Sequence, residues 1–462
     1  MENITIRDIV KAADGQLLCG DENKAIKEFS IDSRLGSEDS IFVPIIGERV
    51  DAHKFIDGAL KINGATFTSE HDKPLEGFED KPWIKVDNTV EAMQKVGTFY
   101  RNRMNLPVVA VTGSVGKTTT REMISTALAS QKKVFQTIGN QNSQIGVPLT
   151  LSHLTKEDEI AVLEIGMSER GQIEKLTNMI RPNVAVVTMI GVSHIAQLKT
   201  QENICLEKMD IVKGLPKDGM VFLNGDDKFL VPYRGKLSHK TFFYGMNKAC
   251  DYRAEDVKVR DGQTLFRFFY KEGEEVRDME VVLGTMGEHN VRNALVALGV
   301  AHQMGLDMEV AAKALTTFHG QRQQMHVLKS CTLIDDTYNA SPDSMKASIS
   351  VLSSMEGVKG RRIAALADML ELGEKEREYH YEVGQFIAGT QVDEVVAYGE
   401  LSEEILKGVE DNTTRIIVKH FETRDELKNY LLTYVHPEDV LLLKASNGMK
   451  LKEIAEAFIR NE

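Results

Sequence analysis

The run Val108-Val-Ala-Val-Thr112-Gly113-Ser114-Val115-Gly116-Lys117-Thr118-Thr119 decides how this chain is read. Its opening is continuously apolar, the pattern of a strand buried on both faces. The two glycines allow a tight turn, and the spacing beyond predicts a helix from Thr118 to about Gln131. Strand, glycine loop and helix in that order make a phosphate site, because successive backbone N–H groups and a helix N-terminus converge on oxyanions. In such a loop the backbone from Gly113 through Ser114, Val115 and Gly116 to Thr119 wraps the phosphates. Lys117 would reach the β- and γ-phosphates, and the Thr118 hydroxyl would ligate Mg²⁺. One position departs from the full pattern, since Val111 stands where a first glycine is usual. Alone, the loop supports binding of ATP or GTP and nothing more.

Two further apolar runs follow, Ile160–Glu164 and Val184–Ile190, with a helical stretch from about Gly171 to Ile180 stopped before Pro182. This alternation predicts a mostly parallel sheet with crossover helices. Ligands of open parallel sheets gather beyond the carboxyl ends of the strands. Glu164 ends one such strand and His194 lies just past another, so both are expected to face the phosphate loop. A carboxylate and an imidazole there can ligate Mg²⁺. Taken singly, Glu164 reads as a solvated strand end and His194 as a satisfied loop histidine; beside the loop, the metal reading is the better one. Lys208 falls in a charged helical run, Thr200 to Val212, where a lysine is ordinarily solvated, and spacing alone does not select it.

Residues 1–104 read as a small α/β unit with strands at Ser40–Pro44 and Ala65–Thr68 and a helix from His53 to Ile62. A helix from Val90 to Arg103 closes it, ended by Asn105-Leu-Pro107 because proline disfavours a helical residue before it. Residues 219–286 form an irregular, strand-rich stretch, followed by an apolar helix from His289 to Met304. After a linker at His319–Gln324 the pattern restarts with Thr332–Asp335, Ile363–Ala367, Glu394–Tyr398 and Val440–Leu443, a second doubly wound unit. The expectation is an α/β chain of three domains: a small α/β unit at 1–104, a P-loop ATPase-like parallel sheet at 105–322, and a Rossmann-like unit at 323–462.

A net charge of −13, with no block of basic residues, speaks against DNA or RNA as partner. It does not speak against ATP, whose phosphates would meet a local field of N–H groups and lysine. Four dispersed cysteines without a Cys-x-x-Cys pair suit a reduced compartment. The N-terminal run Met1–Gly15 lacks the apolar core of a signal peptide, and no stretch approaches the roughly 18 apolar residues of a membrane span. A cytoplasmic protein is expected.

Further motifs run in a fixed order along the chain. They are Ser30-Ile-Asp-Ser33-Arg34, Gly47-Glu-Arg-Val-Asp51-Ala-His53, Gly139-Asn140-Gln-Asn142-Ser-Gln-Ile-Gly146-Val-Pro148 and Glu164-Ile-Gly166. Gly287-Glu-His289-Asn290-Val-Arg-Asn293, Asp336-Thr-Tyr338-Asn339-Ala-Ser-Pro342-Asp-Ser-Met345, Asp368-Met-Leu-Glu371-Leu-Gly373 and Lys444-Ala-Ser446-Asn447 complete the series. Together with the phosphate loop these resemble the Mur ligases, along nearly the whole length. Within that family the likeness is to the branch that adds D-alanyl-D-alanine to UDP-N-acetylmuramoyl-tripeptide.

The resemblance implies an ATP-dependent amide ligase of peptidoglycan precursor synthesis, working through an acyl phosphate and acting as a monomer. It implies ATP, two Mg²⁺ ions and CO₂, the last as a carbamate on Lys208. Lys117, Glu164, His194 and Lys208 would form the catalytic centre; Thr118 and Glu164 would hold one ion, and His194 with the Lys208 carbamate the second. Asn293 would contact adenine, with Arg322 and Asp336 as further nucleotide contacts. Ser33 and Arg34 would bind the UDP-sugar, Asn140 and Asn142 the muramoyl-peptide, while Asp368 and Glu371 would lie near the incoming dipeptide. Met189, Ala367 and Asn447 depart from the family pattern, where asparagine, glycine and arginine are usual.

Overall fold

The run Val108–Thr112 forms a fully buried strand inside a nine-stranded sheet, third from one edge. The computed structural model describes residues 1–260, 262–320 and 323–461. Ile160–Glu164 and Val184–Val187 flank Val108–Thr112, both parallel to it. Alternate residues feed two separate cores. Val108, Ala110, Ala161, Leu163, Ala185 and Val187 face one, and Val109, Val111, Ile160, Val162, Val184 and Val186 face the other. The period of two is what places helices on both faces of this sheet. Thr89–Asn102 and Gln172–Ile180 cover the first face, while Lys117–Ala129 and Glu288–Gln303 cover the second.

The parallel part continues through Met220–Asn224 and Lys240–Gly245 to Tyr252–Arg260. The sheet then turns antiparallel through Gln263–Glu272 and Glu275–Leu283. The stretch that looked irregular in the sequence is this extension, whose alternating burial marks strands with one face in water.

A five-stranded sheet lies before it, parallel except for its first strand Gln16–Cys19. Its inner residues Ile41, Phe67 and Ile84 belong to the same core as Val108, joined through the helix Thr89–Asn102. A six-stranded sheet follows, parallel except for its edge strand Gln324–Val327. Fold class and sheet type are therefore as the sequence predicts.

Local differences have local causes. The strand expected over Val184–Ile190 stops at Val187, because the next residues bend onto the phosphate loop. Thr188 Oγ1 donates to the Val115 carbonyl at 2.6 Å, the Met189 carbonyl accepts from Ser114 N at 2.8 Å, and Ile190 N donates to Asp227 Oδ2 at 2.7 Å. The helix predicted from His53 opens as a 3₁₀ turn, Ala52–Phe55, capped by Asp51, before Ile56–Leu60. The predicted linker reaches only to the residue before Gln324, which is already strand, and its Gln321 and Arg322 lie outside the described residues.

Candidate functional site

The helix after the loop begins at Lys117, with Gly116 as N-cap at φ 86° and no side-chain cap. Glycine is required there because an L side chain strains at that φ. A Cβ on Gly113 would also collide with Thr188 Oγ1. The uncapped N-terminus of a 13-residue helix is thus turned into the loop, as an anion site demands.

Lys117 Nζ donates to the Gly113 carbonyl at 2.9 Å, and so does Lys208 Nζ at 2.9 Å. The solvated reading of Lys208 is wrong, since the residue is 2% exposed. Its helix, Gln201–Met209, turns two charged residues inward. Glu207 accepts from Gly171 N at 2.8 Å and Ile173 N at 2.9 Å, capping the neighbouring helix, and Lys208 reaches across to the loop. Burial, and after it the adjacent Lys117 ammonium, hold the Lys208 amine well below the usual lysine range.

Glu164 is buried at its strand end. One carboxylate oxygen accepts from Thr118 Oγ1 at 2.9 Å and the other from Asn142 Nδ2 at 2.7 Å. Its own N–H donates to Thr137 Oγ1 at 2.8 Å. Three segments of the chain thus meet on one residue. His194 adopts φ 64°, and its Nδ1 is buried without a hydrogen bond, 3.5 Å from Glu371 Oε2. Burial first, then the ammonium groups of Lys208 and Lys117, push its pKa down to about 4. A neutral imidazole cannot pair ionically with Glu371, but it can ligate a metal.

A hydroxyl, one carboxylate and an unpartnered neutral imidazole suit Mg²⁺, which takes few protein ligands and keeps waters and phosphate oxygens. Among the described residues no three His, Cys, Asp or Glu side chains cluster as a metal cage. The residues present fit the ion that the resemblance implies.

Beside the loop opens a cavity of about 330 Å³, lined by Val115, Gly116, His289, Asn293, Asp336 and Lys444 among others. Asn293 Oδ1 accepts from Thr120 Oγ1 at 2.9 Å, and its Nδ2 donates to Asn290 Oδ1 at 3.2 Å. Asp336 Oδ2 accepts from Lys444 Nζ at 2.7 Å and Ser348 Oγ at 2.5 Å. Sequence reasoning left Lys444 without a role, yet it ends the apolar strand Val440–Lys444 just as Glu164 ends its own, and that was the available signal.

The remaining predicted residues scatter. Arg34 projects into solvent, paired with Asp32, and Ser33 is half-buried beside it. Asn140 is exposed on the loop that brings Asn142 to Glu164. Asp368 turns into its own unit, accepting from Ser402 N at 2.8 Å, whereas Glu371 reaches His194. Met189 meets the phosphate loop through its backbone, so a different side chain there leaves that bond intact. Ala367 is buried and Asn447 is exposed at the start of a 3₁₀ turn.

Residues 111–301 match the Mur ligase middle domain, and residues 321–447 match the Mur ligase, glutamate ligase domain. The chain is 34% identical to the UDP-N-acetylmuramoyl-tripeptide--D-alanyl-D-alanine ligase of Bacillus subtilis (strain 168), over 99% of this chain and 98% of that one. It is 31% identical to the ligase of the same name from Haemophilus influenzae, over 95% and 94%. Among solved structures it superposes on MurF from Acinetobacter baumannii with a TM-score of 0.88 at 27% identity, over 99% and 98% of the two chains. For the MurF ligase from Thermotoga maritima in complex with ADP the TM-score is 0.80 at 28% identity, over 94% and 97%. Sequence likeness along the whole length and backbone likeness agree, and this chain belongs to the Mur ligase family.

Proposed function

We propose that the chain joins D-alanyl-D-alanine to UDP-N-acetylmuramoyl-tripeptide, forming ADP and phosphate from ATP, in the cytoplasmic synthesis of peptidoglycan precursor. The observation that carries the reading is Glu164, held between Thr118 of the nucleotide loop and Asn142 of the predicted peptide loop. Such a residue belongs where a phosphoryl group passes to a peptide.

A carboxylate is inert toward an amine at neutral pH, and phosphorylation gives it a leaving group. The tripeptide's terminal carboxylate oxygen attacks the γ-phosphorus of ATP, the bond to the β-phosphate oxygen breaks, and ADP leaves. The dipeptide amine adds to the acyl carbon and loses a proton; the tetrahedral intermediate collapses by breaking its C–O bond to phosphate. Bringing a carboxylate to a triphosphate is opposed by repulsion, and fixed positive groups must offset it. Lys117 and the helix N-terminus offer these from the chain itself. Mg²⁺ supplies the rest when bound, on Thr118 and Glu164 for one ion and on His194 with a carbamylated Lys208 for a second. The Lys208 amine, its pKa lowered by burial, is suited to give up its ammonium proton and then add to CO₂ as the free amine with loss of a second proton, leaving an anionic carbamate. Asn293 and Asp336 hold the nucleoside end. In this reading residues 1–104, with Ser33 and Arg34, take the UDP-sugar, 105–322 the ATP, and 323–462 close over the site and bring the dipeptide.

The test is phosphate release from ATP, with each acceptor alone and with both. Release that requires both supports the proposal; equal turnover with a single free amino acid as amine donor would overturn it.

A further inference from the structure

Arg121 is among the largest fully buried side chains of the protein, at 2% exposure, and it lies one helical turn beyond Lys117 on the phosphate-loop helix. Its Nη1 donates to the Thr137 carbonyl at 2.8 Å and to the Gly139 carbonyl at 3.3 Å. Its Nη2 donates to Glu122 Oε1 at 3.0 Å, and its Nε is buried without a partner. An apolar side chain would fill this space without the desolvation cost of a guanidinium. What the guanidinium adds is direction, since its planar donors fix two backbone carbonyls at once.

Those carbonyls belong to the loop that carries Asn140 and Asn142. Gly139 sits at φ 53°, Gln141 N donates to Ile138 O at 3.0 Å, and Asn142 N donates to Asn140 O at 2.8 Å. These tight turns set the loop's shape. Arg121 and the Val162 carbonyl, which accepts from Thr137 N at 3.1 Å, hold one end. Thr150 Oγ1 donates to Gln141 Oε1 at 2.9 Å, and Glu164 with the Gly166 N–H, which donates to the Asn142 carbonyl at 2.8 Å, holds the other end. Thr137 serves both ends, because its hydroxyl accepts from the Glu164 N–H at 2.8 Å while its carbonyl accepts from Arg121.

We propose that Arg121 is a positioning residue for the ligation. From the phosphate-loop helix it fixes the loop 137–142, and through that loop the binding of the sugar-peptide substrate. Arg121 touches neither ATP nor sugar-peptide in this account. Its effect is to make the peptide-binding loop rigid with respect to the nucleotide loop, so that the acceptor carboxylate meets the phosphoryl group in register.

The inference rests on the ligase reading above, and the experiment separates the two. KM for UDP-N-acetylmuramoyl-tripeptide and for ATP are measured for wild type, Arg121→Met and Arg121→Lys, together with each thermal midpoint. For Arg121→Met the sugar-peptide KM is expected to rise about ten-fold, with KM for ATP within about two-fold. Arg121→Lys, which keeps one donor, should fall between. A folded variant with the wild-type sugar-peptide KM, or a parallel rise for both substrates, overturns the proposal. If Arg121→Met does not fold, Arg121→Lys decides by the same criteria. If wild type itself fails to use the sugar-peptide, the ligase reading is what has failed. Backbone hydrogen exchange over 137–142 then tests Arg121 alone: faster exchange in Arg121→Lys supports it, and unchanged exchange overturns it.

Discussion

Lys117 and Lys208 donate to the same oxygen, the carbonyl of Gly113, each at 2.9 Å. Burial, and after it the repulsion between the two ammonium groups on one acceptor, lowers the pKa of Lys208. A lysine that is buried beside a phosphate loop, its ammonium form disfavoured by burial, is poorly suited to act as a cation. Converted to a carbamate it would complement Lys117 instead of opposing it.

Lys208→Ala is therefore expected to lose activity by about two to three orders of magnitude while remaining folded, with partial recovery on adding a short-chain carboxylate. Initial rates with and without the additive check this. Wild-type activity in the variant would rule the carbamate out.

Lys117→Ala should abolish ATP turnover, a loss of about three orders of magnitude or more, since no other group replaces its charge at the β- and γ-phosphates. ADP formation under saturating substrates is the measurement, and retained turnover would exclude the phosphate-loop role.

Asn293 lines the cavity beside Gly116 and is oriented by Thr120 and Asn290. Asn293→Ala is expected to raise KM for ATP about ten-fold and leave the sugar-peptide KM unchanged. The pattern is opposite to that expected for Arg121, so the two variants measured side by side distinguish the nucleotide pocket from the peptide loop.

His380 is fully buried, accepts from Met369 N at 2.9 Å and donates from Nδ1 to the Glu376 carbonyl at 2.6 Å. Burial lowers its pKa below the ordinary 6.5, so the unfolded chain binds a proton that the folded chain refuses. Stability is then full above 6.5 and falls as the pH drops from there toward the folded value. Thermal midpoints between about pH 7.5 and pH 5 should show this decline, and His380→Gln should make it shallower. His380→Ala, which strands the Met369 N–H, should cost about 1–3 kcal/mol. Identical pH slopes for wild type and His380→Gln would show that this histidine does not carry the effect.

The strand, loop and helix around Lys117 were legible because apolar continuity and glycine spacing are local signals. Glu164 and His194 were legible at one remove, through the rule that ligands lie beyond strand ends. Lys208 and Arg121 were not. Each sits in a helical run that contains other charges, Glu207 beside Lys208 and Glu122 beside Arg121. Only tertiary contacts, to Gly113 across 95 positions and to Thr137 across 16, turn them inward. Asp368 shows the opposite limit, because its motif pointed to substrate while its side chain serves the backbone of Ser402.

Transfer of the ATP phosphoryl group to a peptide carboxylate leaves an isotopic trace. It is tested most directly with UDP-N-acetylmuramoyl-tripeptide carrying ¹⁸O in its terminal carboxylate, turned over with ATP and D-alanyl-D-alanine. Mass analysis of the released phosphate should find one ¹⁸O atom, carried off when the acyl C–O bond breaks, and the amide product should retain the other. Phosphate free of ¹⁸O, with its new oxygen drawn from water, would exclude an acyl phosphate.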